Sequence, residues 1–321
     1  VAIVISVINW KGGVGKTTLT HHIATGLCHL KFKEYTPKIL LIDLDAQCNL
    51  SISCLSDDEF EKEVYNNGRF TVKDLLGNYF VQDNPNIDFD DFIISDAVRA
   101  KQDRYNVIKY EGIDLVASHQ DLIYTDMDIA SFSRPSYQNN LLNKESYKFK
   151  FLKNFIRNLN NTHEYDFIFI DCPPNLNFIT QNALYASDYY IIPTILDKLS
   201  TYGILSITNK VKELNKMFSA IDDEYTKTKL LGIIPNNVVE RSGEPKYSQN
   251  NRLTTLKGTF KNKVFENYLT YGDGIASSSA LGLPVYGING ENARKQEDLM
   301  LKVVHEMLER IIIEEDSKRG I

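Results

Sequence analysis

The chain has 321 residues, 43% of them hydrophobic and 24% charged, a composition that excludes a disordered or fibrous protein. Its net charge of −6 argues against a protein built mainly to coat nucleic acid, while leaving room for a local basic patch. Cys28, Cys48, Cys54 and Cys172 lack metal-ligand spacing and read as reduced thiols, no apolar run approaches the ~18 residues that span a bilayer, and no charged-then-apolar leader opens the chain, so a cytoplasmic protein is expected.

In chain order, apolar β-branched runs predict strands at Ala2–Ile8, Lys38–Asp43, Gly112–Ala117, Tyr165–Asp171, Asp188–Pro193 and Lys229–Pro235. Their near-continuous hydrophobicity is that of strands covered on both faces. Helix-period stretches alternate with them at Thr17–Lys33, Ser146–Asn160, Phe178–Ala186, Tyr202–Phe218 and Glu291–Glu315. This alternation predicts an α/β fold with a doubly wound, mostly parallel sheet flanked by helices, like that of the P-loop NTPases. The length suits a single domain over 1–321, with residues 56–111, less regular and rich in Asp and Asn, as a peripheral insertion.

The first strand runs into Trp10-Lys11-Gly12-Gly13-Val14-Gly15-Lys16-Thr17-Thr18, and a helix follows at once. Glycines let backbone N–H groups close around phosphate oxygens, and the helix N-terminus adds the positive end of its dipole. Lys16 is placed to reach the β- and γ-phosphates and Thr17 to coordinate Mg²⁺, which makes this an ATP/ADP site. Trp10 stands where the usual pattern has its first glycine.

From these residues the chain resembles the ParA/MinD family of deviant Walker A ATPases, and more closely its ParA partition branch. Lys11 is the extra loop lysine that marks the family. Asp43-Leu-Asp45-Ala46-Gln47-Cys48-Asn49 is similar to the family's Asp-x-Asp-Pro-Gln-Gly-Asn, with Ala46 and Cys48 in place of Pro and Gly. Ile113–Ser118 looks like the next strand end, Tyr165–Pro174 like Walker B with switch II, Gly232–Asn236 like the adenine-side strand end, and Gly282-Leu-Pro-Val285 like a late signature. The stretch Asn267–Ser279 lacks the arginine often found there in chromosomal partition ATPases.

The residues and the resemblance together assign roles. Asp45, just past a strand end, is expected to orient the attacking water, with capping of the next helix as its plainer alternative. Asp43 helps fix switch I, the turn through Asp45–Asn49, or the metal's water shell, and Asp171 holds Mg²⁺ directly or through water. Asn236 reads the adenine edge, with Asn237 offering the same chemistry one position on. Lys11 is either a solvated loop lysine or, as the resemblance implies, a group that reaches a partner subunit's phosphates as an arginine finger does. His21 and His22 are expected to pack or face solvent rather than bind metal, because adjacent positions split across a helix. Cys48 and Cys172 lack the glycine-rich pairing of an iron–sulfur site.

Arg241–Lys263 carries six cations against one acid, Glu244. On a continuous helix Leu253, Leu256, Phe260 and Val264 share a face, with Arg252 and Lys263 flanking it on one side and Lys257 and Lys261 on the other. Such a rim suits phosphate contact without base reading. The resemblance therefore implies an ATPase of weak intrinsic activity, an ATP-dependent homodimer on nonspecific DNA, nucleoid-associated and stimulated by a ParB-like adaptor. Because the first predicted strand starts at residue 2, no operator-binding helix-turn-helix is expected ahead of it. A membrane-cycling MinD-like ATPase would need a basic amphipathic end, whereas Leu299–Asp316 closes on Ile-Ile-Ile-Glu-Glu-Asp. An ATP-dependent ligase or synthetase would need a further substrate site that the residues do not offer.

Overall fold

All six predicted strands pair into one sheet. The computed structural model describes residues 2–30, 35–81, 85–102, 107–131 and 146–319. Its strands are β1 (Ile3–Val7), β2 (Ile39–Asp43), β3 (Ile93–Ile94), β4 (Arg99–Gln102), β5 (Val107–Lys109), β6 (Ile113–Val116), β7 (Phe167–Asp171), β8 (Tyr189–Ile195), β9 (Lys229–Asn236), β10 (Glu240–Arg241) and β11 (Glu244–Pro245). The main sheet has the order β3-β6-β2-β7-β1-β8-β9, parallel throughout except for β3 at one edge. The pairs β4–β5 and β10–β11 form small antiparallel ribbons.

The helices are α1 (Lys16–His29), α2 (Asn49–Leu55), α3 (Asp57–Phe60), α4 (Val72–Val81), α5 (Leu122–Ser131), α6 (Tyr147–His163), α7 (Phe178–Ala186), α8 (Ser200–Ile221), α9 (Tyr247–Phe260), α10 (Asp273–Ala280) and α11 (Glu291–Arg319). The predicted first helix is observed to His29, and its last residues, 31–33, lie outside the described residues. Side chains alternate across each strand. Leu40, Ile42, Ile168 and Ile170 pack under α4–α8, whereas Ile39, Leu41, Phe169 and Leu115 pack under α1, α2 and α11. Both faces are thus covered, which is why these strands read as unbroken apolar runs. The stretch 56–111 is more regular than its composition suggests: α4 packs into the core through Leu75, Leu76 and Tyr79, and β3 joins the main sheet.

Parallel register brings the strand ends level. Asp171 lies opposite Val7 on one side and Asp43 on the other. The carboxyl ends of β1, β2 and β7 therefore open together beside the switch point of strand order, where ligands bind in such sheets.

His21 and His22 face inward from α1 and are both buried. Burial lowers the His22 pKa to about 4, partly opposed by the Thr18 carbonyl that its Nδ1 meets at 2.8 Å. The unfolded chain takes up this proton near the usual 6.5, so His22 favours the fold above that pH and loses its contribution as pH falls from 6.5 toward 4. The shift corresponds to about 3 kcal/mol. We expect His22→Asn, which keeps a donor for Thr18, to flatten the fall in thermal midpoint between pH 6.5 and 4. An unchanged slope would remove His22 as its source.

Candidate functional site

Between β1 and α1 the chain turns through Gly13 (φ 71°) and Gly15 (φ 92°), left-handed values that favour glycine. Gly15 is also fixed by contact, because a Cβ there would sit 2.2 Å from Asn236 Nδ2. That amide donates to the Val14 carbonyl at 2.9 Å, and Asn236 Oδ1 accepts the Asn237 N–H at 2.9 Å. Asn236 thus clamps the phosphate loop to the end of β9. Asn236 still lines the cleft beside the exposed Asn237, so the two remain alternatives for the adenine edge.

The loop, switch I and the β9 end enclose a cleft of about 550 Å³, within the usual range for small-molecule sites. Gly12, Gly13, Gly15, Lys16, Thr17, Thr18 and Asp45 line it, while the buried Val14 lies beneath. The Thr17 hydroxyl donates to Asp171 Oδ2 at 2.6 Å. Asp171 Oδ1 is buried without a hydrogen-bond partner. Burial and then the neighbouring Asp43 raise the Asp171 pKa well above the carboxylate range, opposed by Thr17 and Lys16. A hydroxyl and an unsatisfied carboxylate oxygen beside a phosphate loop are a donor set that suits Mg²⁺, which takes few protein ligands when phosphates supply the rest. Among the described residues, no group of three or more His, Cys, Asp or Glu could hold a metal by itself.

Asp43 is otherwise engaged. Its Oδ2 accepts the Ser51 N–H and Oγ–H at 2.9 and 2.7 Å, and its Oδ1 accepts the Asp45 N–H at 3.1 Å. Burial pushes its pKa up to about 6 despite these bonds. With both oxygens occupied, Asp43 anchors switch I and is not free as a metal ligand. Asp45 stands on that anchor. Its Oδ1 accepts the Gln47 N–H at 3.0 Å, and its carbonyl accepts from Ser118 Oγ at 2.8 Å. Asp45 does not cap α2; the N-cap is Cys48, in the left-handed region at φ 56°.

With this geometry in view, the AAA domain model AAA_31, of the ParA/MinD type, matches residues 2–222. The chain belongs to this family. A ParA family protein of Mycoplasma pneumoniae is 27% identical, over 95% of this chain and 97% of its own. The fold resembles that of apo McdA from Cyanothece (TM-score 0.71, 17% identity, 96% of this chain and 100% of that one). It also resembles a putative plasmid partition protein of Borrelia burgdorferi bound to AMPPNP (TM-score 0.64, 22% identity, 98% and 100%).

Lys11, the residue that marks the ParA/MinD type, does not line the cleft. Its ammonium pairs with Asp197, just before α8. Its side chain lies instead in a neighbouring cavity with Asn9, Trp10 and Leu199, beside the start of α8. The basic-rim expectation also needs correction. Helix α9 ends at Phe260, Lys261 has φ 52°, and Lys261–Lys263 form a 3-10 turn, so Lys261 and Lys263 are off the helix on which they were projected. Lys257 pairs with Glu266 at 2.5 Å and Lys263 with Glu314 at 3.0 Å. Arg252 and Lys261 have no ion pair among the described residues and remain exposed.

Sequence reasoning missed Asp197, Ser51 and Ser118. Ser51 and Ser118 are part of one relay, in which the Ser118 N–H donates to Ser51 Oγ at 3.0 Å behind Asp43. Among the described residues, no helix is long and apolar enough to cross a membrane.

Proposed function

We propose that this chain is a ParA-type ATPase that partitions DNA or positions cargo, joining as an ATP-bound dimer on nonspecific duplex DNA and leaving it after hydrolysis. The observation that carries this reading is a cleft lined by Lys16, Thr17 and Asp45, with Asp171 bonded to Thr17 behind it and Lys11 outside the lining, paired with Asp197. A site lacking one cation within its own subunit is suited to completion by a second copy. The likeness to a ParA relative and to a plasmid partition protein bound to AMPPNP supports the same reading.

In this reading the loop N–H groups and Lys16 cradle ATP or ADP. Thr17 and Asp171 hold Mg²⁺, which offsets phosphate charge when bound. Asp45 orients the attacking water, and Lys11 of the other copy neutralises the developing charge. Hydrolysis then depends on dimerisation and ends it. A ParB-like adaptor that favours the reactive arrangement would time release, and a nucleoid-associated distribution follows from the DNA contact.

Light scattering should report a dimer with a non-hydrolysable ATP analogue and a monomer with ADP. Gel shifts on random-sequence duplex should follow the same nucleotides. Equal DNA binding with both would sink the switch.

The ion pairs sharpen where DNA is met. Reversing the charge of Arg252 and Lys261 should weaken binding at low salt about tenfold or more and flatten its salt slope by about 0.9 per lost phosphate contact. Reversing Lys257 and Lys263, whose charges are already compensated, should do less. The opposite ranking would move the contact elsewhere.

A further inference from the structure

Lys11 is tied to one place by two bonds. Its backbone N–H donates to Asn9 Oδ1 at 2.9 Å, and the Asn9 amide donates to the Pro193 carbonyl on β8 at 2.8 Å. Its ammonium then reaches Asp197 in the connection from β8 to α8. Asp197 is itself held: its other oxygen accepts the Leu199 N–H at 3.0 Å and lies 2.8 Å from Ser200 Oγ, at the start of α8. The carboxylate is therefore kept in position by the helix end, whether or not the lysine is present. Beside it lies a cavity of about 350 Å³ walled by Trp10, Ile204 and Ile207.

We propose that Asp197 stores Lys11 in the free subunit and gives it up only when a second subunit's nucleotide competes for the ammonium. This rests on the reading of Lys11 as the group that acts in trans. Both partners of the pair are substantially exposed, at 48% and 36%. Exposed pairs of this kind are weak, so the store is reversible. A polyphosphate carries several negative charges against the single charge of Asp197, and so outcompetes it once the two subunits approach. Until then a cation that could engage the subunit's own nucleotide, or a stray anion, is kept occupied. Asp197 is accordingly a positioning residue, setting how much nucleotide-bound protein is needed before subunits join.

The test uses Asp197→Asn, which retains acceptors for the α8 end and removes the charge. In the ADP-bound protein, amine-reactive labelling mapped by mass spectrometry should show Lys11 modified at least twofold faster in the variant, with an unchanged thermal midpoint. Unchanged labelling overturns the proposal, and this measurement does not depend on dimerisation. With a non-hydrolysable ATP analogue, the variant should dimerise at two- to fivefold lower protein concentration, the range an exposed ion pair can supply. In a Lys11→Ala background that shift should vanish. A dimerisation midpoint that does not move, or that moves equally without Lys11, also overturns it. Failure of the unsubstituted protein to dimerise with ATP would instead reject the functional reading, while the labelling result would still decide whether Asp197 stores the lysine.

Discussion

Replacing Asp45 by alanine should leave ATP bound and the subunits joined while slowing hydrolysis by about 10²–10⁴-fold, the usual contribution of a positioned acid–base group. The size of the effect follows from where the carboxylate stands. It lines the cleft, whereas its neighbour Asp43 is buried behind it with both oxygens occupied. Ser51, Ser118 and the Asp45 carbonyl tie the turn to β2 and β6, so the backbone around Asp45 is fixed by bonds that alanine does not touch. Nucleotide binding, which the proposed reading gives to Lys16, Thr17 and the loop, should persist. On the proposed cycle the variant should therefore accumulate as a dimer on DNA at ATP concentrations where the unsubstituted protein would turn over. Single-turnover hydrolysis alongside scattering measures both halves, and undiminished turnover would reject the assignment of Asp45.

The sheet and the phosphate loop were legible because their signals are local. Strands covered on both faces must be apolar at every position, and the loop needs its glycines and Lys16-Thr17 within a few residues. What stayed hidden depends on contacts between distant segments or on elements too short to show a period. Strand β3 is Ile93–Ile94 alone, and two residues carry no pattern. The end of α9 was missed because Lys261 adopts φ 52°, where glycine or asparagine would have announced a stop. Asn236 was identifiable as a polar residue at a strand end, but its bond to the Val14 carbonyl is formed across 222 residues. Asp197 meets Lys11 across 186 residues, and nothing within Asp197-Lys-Leu-Ser200 points to that partner. Candidate residues were thus visible by type, whereas which of them remained free to act was a property of the fold.

That distinction is sharpest at Asp171, where Asp171→Asn should have opposite effects on stability and on activity. Asparagine keeps an oxygen to accept from Thr17 Oγ1, so the local bond survives. It removes a carboxylate that is buried, lies across from Asp43 and leaves one oxygen unpaired. Burial and Asp43 both raise the Asp171 pKa. Over the window between the ordinary carboxylate pKa and this raised value, the folded state binds more protons than the unfolded chain. Stability contributed by the protonated group is then present at low pH and lost as pH rises through that window. Without metal, the asparagine variant should melt higher than the unsubstituted protein at neutral and alkaline pH, and the gain should shrink as pH falls and the carboxyl takes up its proton. With ATP and Mg²⁺ the order should reverse. In the proposed reading the unsubstituted protein would hold Mg²⁺ through the Asp171 carboxylate, whereas the amide would be a weaker ligand, and hydrolysis should fall by about 10²-fold or more. Thermal melts across pH, with and without Mg²⁺-ATP, separate these contributions. A variant no more stable in the metal-free protein would show that the Asp171 charge is compensated within the fold, and would detach the unsatisfied oxygen from metal binding.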